Sequence, residues 1–163
     1  MADTAHVIVL FSKIPVLSNM FYAVRLKKAE VEAEKALVYW LNTTWGLLSV
    51  IASREETRER WISLKIAHWK MLPVLDVGKL NSGTLKRLSS TFDELAQVEP
   101  KKPKRIVEQF SESPDDVDPV RLKINLEFLK SLNSSIDEIE AKKRLYGVYK
   151  RIAIAFKRWI QTS

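Results

Sequence analysis

Two hydrophobic periods run along this chain and predict different elements. HVIVLF (residues 6–11) and MFYAVRL (residues 20–26) are dense in β-branched and aromatic side chains and predict strands, with Pro15, Ser18 and Asn19 supplying the turn between them. WISLKIA (residues 61–67) sets Trp61, Ile62, Leu64 and Ile66 against Ser63 and Lys65, an alternation that predicts a third strand. His68-Trp69-Lys70 then leads into a turn or a single helical turn, which Pro73 ends. Helical spacing takes over elsewhere. Residues 29–41 read as a helix, with Glu30, Glu32 and Glu34 near its positive end. Ser82 to Val98 is a second, with Leu85, Leu88, Phe92 and Leu95 on one face. Asp118-Pro119 has the form of an N-cap followed by proline at the first helical position, and predicts a helix to Leu132. Ser134 or Ser135 caps a last helix over Ile136 to Ile160, with Glu138 completing a capping box.

One stretch breaks the pattern. EKALVYWLNTTWGLL (residues 34–48) is apolar and aromatic, yet carries Asn42-Thr43-Thr44 in its middle and Gly46 close behind. Short polar side chains compete for backbone hydrogen bonds and are poor helix filler. Either the helix ends there or something polar is held there. Leu47 to Ala52 continues as an apolar segment of open type. Residues 99–119 carry four prolines and many charges, and read as a linker or long surface loop with a short ordered piece around Ile106, Val107 and Phe110. The expected architecture is therefore α+β: a recognition-like domain over 1–98 with packed helices on a small sheet, a linker over 99–119, and C-terminal helices over 120–163.

Composition narrows the class. A 46% hydrophobic content with four glycines describes a folded chain long enough to bury a core. Cysteine is absent, which removes disulfides, thiolate metal sites and thiol nucleophiles. The apolar run Val7 to Phe11 is too short for a signal core or a membrane span, so a cytoplasmic protein with no membrane partner is expected. Asn42-Thr43-Thr44 and Asn133-Ser134-Ser135 match the glycosylation sequon, and without a secretory signal both are taken as chance.

Charge is unevenly placed. Residues 1–140 hold 20 basic and 20 acidic residues, whereas residues 141–163 hold seven Lys/Arg and no acid, the whole of the +7 excess. A localised basic segment points to a polyanionic partner. Lys143-Arg144, Lys150-Arg151 and Lys157-Arg158 repeat one pair every seven residues, almost two helical turns, and so align as a stripe about 20 Å long. Tyr146, Tyr149, Ile152, Ala153, Phe156 and Ile160 make the opposite face. Such a stripe suits nucleic-acid phosphates, giving affinity without sequence information; the plainer reading is the solvated side of an amphipathic helix. Membrane-surface binding is disfavoured because the apolar face is needed for packing. A second candidate is Arg54 to Lys65, where Arg54, Arg58 and Arg60 with Thr57 and Trp61 are suited to phosphates or base edges, or else form a surface turn neutralised by Glu55, Glu56 and Glu59.

Enzyme templates fail. The two histidines are far apart, no glycine-rich phosphate loop occurs, and the acid pairs Glu55-Glu56 and Asp115-Asp116 lie in polar stretches. His68, flanked by apolar residues, reads as a core or surface histidine before a catalytic base. No catalysis and no cofactor are expected on this chain alone.

The order of short motifs is familiar. Leu17-Ser18-Asn19 is followed by E-K-A-L-x-x-W-L-N-[ST]-T-x-G (Glu34 to Gly46), then R-x-E-T-R-x-x-W (Arg54 to Trp61) and Lys65. L-P-V-L-D (Leu72 to Asp76), F-D-E-L (Phe92 to Leu95) and D-P-V-R (Asp118 to Arg121) come next. This resembles the C-terminal, target-recognition-like region of restriction-modification type adenine-N6 DNA methyltransferases, over roughly residues 15–130. The resemblance implies that the region grips or reads duplex DNA while a separate methyltransferase domain or subunit does the chemistry. That family's catalytic Asn-Pro-Pro-Tyr/Phe motif and its S-adenosylmethionine loop are missing here. The implied binding set is Asn42, Thr43, Thr44, Arg54, Thr57, Arg58 and Lys65. The basic stripe (Lys143, Arg144, Lys150, Arg151, Lys157, Arg158) adds phosphate contacts and lies outside the resemblance. The competing expectation is a helical protein-interaction module that uses Trp40, Trp45 and the last helix. RNA is a third partner that the stripe alone does not distinguish.

Overall fold

The computed structural model describes residues 9–14, 23–27, 29–53, 55–56, 62–63, 65–97 and 104–161, with the backbone alone at 55–56, 62–63 and 160. The fold is all-α, which corrects the expected α+β architecture. Among the described residues six α-helices follow in order: α1 (Val31–Asn42), α2 (Thr44–Ala52), α3 (Ile66–Met71), α4 (Ser82–Ala96), α5 (Pro119–Leu132) and α6 (Glu138–Gln161). Among the described residues, β pairing is confined to Glu55–Glu56 against Ile62–Ser63, antiparallel, two residues a side. That is a local bridge and not a sheet on which helices pack.

The described parts of the two N-terminal runs, 9–11 and 23–26, belong to neither a helix nor a strand, and the remainder of each lies outside the described residues. Ile66 and Ala67 begin a helix instead of ending a strand. β-Branched and aromatic residues favour half-buried surfaces in general, and a sheet is only one way to provide one. Here Val9 and Leu26 pack on the cluster formed by α1 and α4, while Leu10 and Val24 are exposed.

The break after α1 is real. Thr43 ends one helix and caps the next, so the Leu47 to Ala52 segment is helical. The Thr43 Oγ1 accepts from the Gly46 amide at 3.4 Å and donates to the Trp40 carbonyl at 2.6 Å. At α5 the expected start is present: Asp118 Oδ1 accepts from the Arg121 amide at 2.8 Å with Pro119 at the first helical position. At α6 the cap differs from expectation. Asp137 Oδ1 takes the Glu140 amide at 2.7 Å, while Ser135 gives both its amide and its hydroxyl to Asn133 Oδ1. The asparagine captures the serine in a local turn, which leaves Asp137 to begin the helix.

Two apolar clusters hold the helices. One joins α1, α4 and the inner side of α5 through Ala36, Leu37, Tyr39, Leu88 and Phe128. Tyr39 and Phe128 meet edge to face at 5.2 Å, and the buried Tyr39 hydroxyl donates to the Ile124 carbonyl at 3.0 Å. The other cluster joins α5 to α6 through Leu126, Leu145, Tyr149, Ile152 and Phe156. Residues 104–118 contribute to it directly. Ile106, Phe110 and Val117 are buried, and Phe110 packs on Tyr149 at 5.4 Å and Phe156 at 5.9 Å. α5 serves both clusters, so the helices before and after residues 99–119 share one packed body.

Candidate nucleic-acid interface

α6 places the basic pairs as its periodicity predicts. Ala141, Leu145, Tyr149, Ile152, Ala153 and Phe156 are buried, and Lys143, Arg144, Lys150, Arg151, Lys157 and Arg158 are exposed on the other side. From Lys143 to Lys157 the helix rises about 21 Å. Gly147 lies between the first two pairs with open space around it, so the outer face is low relief there. Acids from two parts of the fold touch the stripe. Glu140 accepts from Arg144 one turn along the helix at 2.7 Å, and Glu112, from the segment before α5, accepts from Lys157 at 2.6 Å. Hydrogen bonding from Lys157 holds the Glu112 carboxyl below the usual carboxylate range. The seventh cation, Lys142, turns aside. It and Lys130 both bond Glu138, whose carboxyl they bring down to about 2.

Asn42, Thr43 and Thr44, expected to form or support the binding surface, are engaged within the fold. The Asn42 carboxamide is engaged at both ends: Nδ2 donates to the carbonyls of Val9 and Val38, each at 2.9 Å, and Oδ1 accepts from the Val9 amide at 3.3 Å. Thr43 and Thr44 are 0% and 1% exposed. The Thr44 amide donates to Asn125 Oδ1 at 2.8 Å, and its hydroxyl oxygen accepts from Asn125 Nδ2 at 2.7 Å. These three residues form the corner between α1 and α2. Lys65 is exposed at the N-terminus of α3, where its amide donates to His68 Nδ1 at 3.0 Å. Arg54, Thr57 and Arg58 lie outside the described residues, as do Arg60 and Trp61.

Behind the corner lies a polar hub absent from the expected site. Asn125 is fully buried, and its two N–H hydrogens are shared among Thr44 Oγ1, the Arg121 carbonyl and the Tyr149 hydroxyl. Arg121 is also buried. Its guanidinium donates twice to Gln109 Oε1, at 2.9 and 2.7 Å, and once to the Asn42 carbonyl at 2.6 Å. Burial pulls the Arg121 pKa down, opposed by Tyr149 and by Asp118 nearby. The hub thus ties the end of α1, the start of α2, residues 104–118, α5 and α6 into one hydrogen-bonded frame. A sequence signal for part of it existed: Asn125 interrupts the apolar series Leu122, Ile124, Leu126, Phe128. Gln109, in an irregular segment, left none.

Tyr149→Phe tests the frame. It removes one acceptor from a buried amide, and a loss of about 1–2 kcal/mol is expected by urea unfolding, with α-helical circular dichroism preserved. An unchanged midpoint would show that the hub does not depend on that hydroxyl.

Among the described residues no group of His, Cys, Asp and Glu is arranged to hold a metal. An open groove of about 400 Å³ lies between α4 and α5 beside Arg87, Lys130, Glu127 and Ser131. Its Arg87 donates to the Ser131 carbonyl at 3.1 Å, satisfying a last-turn acceptor of α5. Among the described residues no helix is long and apolar enough to cross a membrane. No protein-family model, curated protein or solved structure matches this chain.

Proposed function

We propose that this chain is a non-catalytic DNA-binding part of an adenine-specific DNA methyltransferase or restriction-modification system, with α6 supplying phosphate contacts. The observation that carries the DNA-binding half is the outward stripe of three Lys-Arg pairs on a helix whose other side is buried. The motif order from Glu34 to Arg121 supports the methyltransferase half, and a separate subunit or domain provides the chemistry. Cations on its open side meet the phosphate backbone, which gives duplex affinity without regard to sequence. In this reading Asn42, Thr43 and Thr44 are frame and not contact. They turn the chain out of α1 into α2, which ends at Ala52, two residues before Arg54. Sequence reading then falls to Arg54, Thr57, Arg58 and Lys65.

Fluorescence anisotropy of a labelled duplex across a salt series tests this. Four to six engaged cations give a slope of log K against log[salt] of about −4 to −5. A flat salt response, or no binding at low salt, rules the reading out. An RNA duplex of the same length, run in parallel, separates the two nucleic acids.

One observation favours the alternative, a protein-interaction module. Ile66, Met71 and Val74, on and just after α3, are exposed apolar residues. Trp40 and Trp45, by contrast, pack against the cores. Light scattering that shows a stable oligomer indifferent to DNA would select this second reading.

A further inference from the structure

We infer that Glu112 is a built-in competitor for DNA phosphate: its carboxylate holds the place on α6 that a backbone phosphate takes at Lys157. The inference rests on the DNA-binding reading of α6 and names the regulation of that same face.

Most acids near α6 belong to its own first turn or to the preceding capping residue. Glu112 does not. It comes from the irregular segment before α5 and reaches the far end of the stripe, bonding Lys157 Nζ at 2.6 Å. Lys150, two turns earlier on the same face, also acts on that carboxylate. Lys157 is the cation it bonds, and Lys150 lies about 10 Å back along the same face. The placement is anchored. Phe110, two residues before, is buried against Tyr149 and Phe156 of the same helix, and the amide of Ser113, one residue after, donates to Ser111 Oγ at 3.1 Å. Asp115 and Asp116 follow in the same exposed stretch and add negative charge. With side-chain exposures of 67% for Lys157 and 41% for Glu112, the pair is open to solvent and contributes little to stability. Its consequence is for binding. A phosphate must displace the carboxylate, and the released carboxylate then recruits a solvent cation. That uptake offsets one of the counterions set free from the DNA.

The test compares the full chain with its Glu112→Gln and Glu94→Gln variants by duplex anisotropy across salt. Glu94 is exposed on α4, which packs on α1 and α5, so its variant controls for net charge alone. Glu112→Gln is expected to bind roughly fivefold tighter at low salt, with a salt slope steeper by about 1. Glu94→Gln should show neither change. In a Lys157→Ala background the gain from Glu112→Gln should shrink, since the two act on one contact. If the unaltered chain binds duplex and Glu112→Gln binds equally or more weakly, the competitor role is wrong while DNA binding stands. If Glu94→Gln reproduces the whole gain, bulk charge explains it and the inference fails. If neither the unaltered chain nor Glu112→Gln binds at low salt, the DNA-binding reading falls and takes this inference with it.

Discussion

Gly46→Ala is expected to cost about 3 kcal/mol or more, the upper range for a forced overpacking. No positive φ requires glycine here; the requirement is space. A Cβ at residue 46 would run into the Trp40 carbonyl oxygen and would lie 2.5 Å from Leu41 Cα and 2.7 Å from its carbonyl carbon. All three obstacles are backbone, so no side-chain rotation relieves them. The only remedy is to lift the first turn of α2 off the last turn of α1. That movement pulls Thr44 away from Asn125 and loosens the hub at its centre. Thermal unfolding should show the midpoint falling by about 10 °C for a domain of this size. A Gly46→Ala protein as stable as the parent would mean that the two helices do not meet this closely in solution.

Reversing the central basic pair, Lys150→Glu with Arg151→Glu, is expected to weaken duplex binding about 100-fold at low salt. Two attractive phosphate contacts become two repulsive ones, and a combined change of about 3 kcal/mol follows for charges near a wet surface. The salt slope should become shallower by about 2. Fold stability should stay within about 0.5 kcal/mol, because both side chains are exposed on the outer side of α6. Melting temperature and binding are therefore measured together. Retained affinity with a retained melting point would remove α6 from the interface and leave Arg54 to Lys65 to account for any DNA binding.

These two substitutions also separate what was legible in the residues from what was not. The Lys-Arg pairs needed only their seven-residue spacing and a helix beneath them; of the apolar face read beside them, Tyr149, Ile152, Ala153 and Phe156 are buried and Tyr146 is half-buried. Tyr149 shows the limit of that reading. Its burial was predictable, but its hydroxyl partner on Asn125, 24 residues earlier, was not. Asn42 shows the limit more sharply. A carboxamide beside two threonines has the donors and acceptors to read a base edge, and equally those to hold a peptide. Here it holds the backbone of Val9, 33 residues away. The β-branched runs misled for a related reason: strand-like composition does not supply a pairing partner, and where described the N-terminal runs are irregular while Ile66 and Ala67 begin a helix.

What the amino-acid sequence determined by itself is local. The Asp118-Pro119 start of α5, the helical period of α4 and α6, the break between Leu41 and Gly46, and the concentration of positive charge after residue 140 all rest on neighbours within one or two turns. Caps, period and charge density act at that range. Tertiary structure decided whether Asn42, Thr43 and Thr44 face outward or inward, whether residues 104–118 lie on the surface or in the core, and which acid answers the stripe. Each of those depends on a partner far along the chain: Thr44 on Asn125 at a separation of 81 residues, Asn42 on Arg121 at 79, Lys157 on Glu112 at 45. A polar side chain carries its hydrogen-bonding capacity in the sequence, but the group that uses it is chosen only when the helices pack.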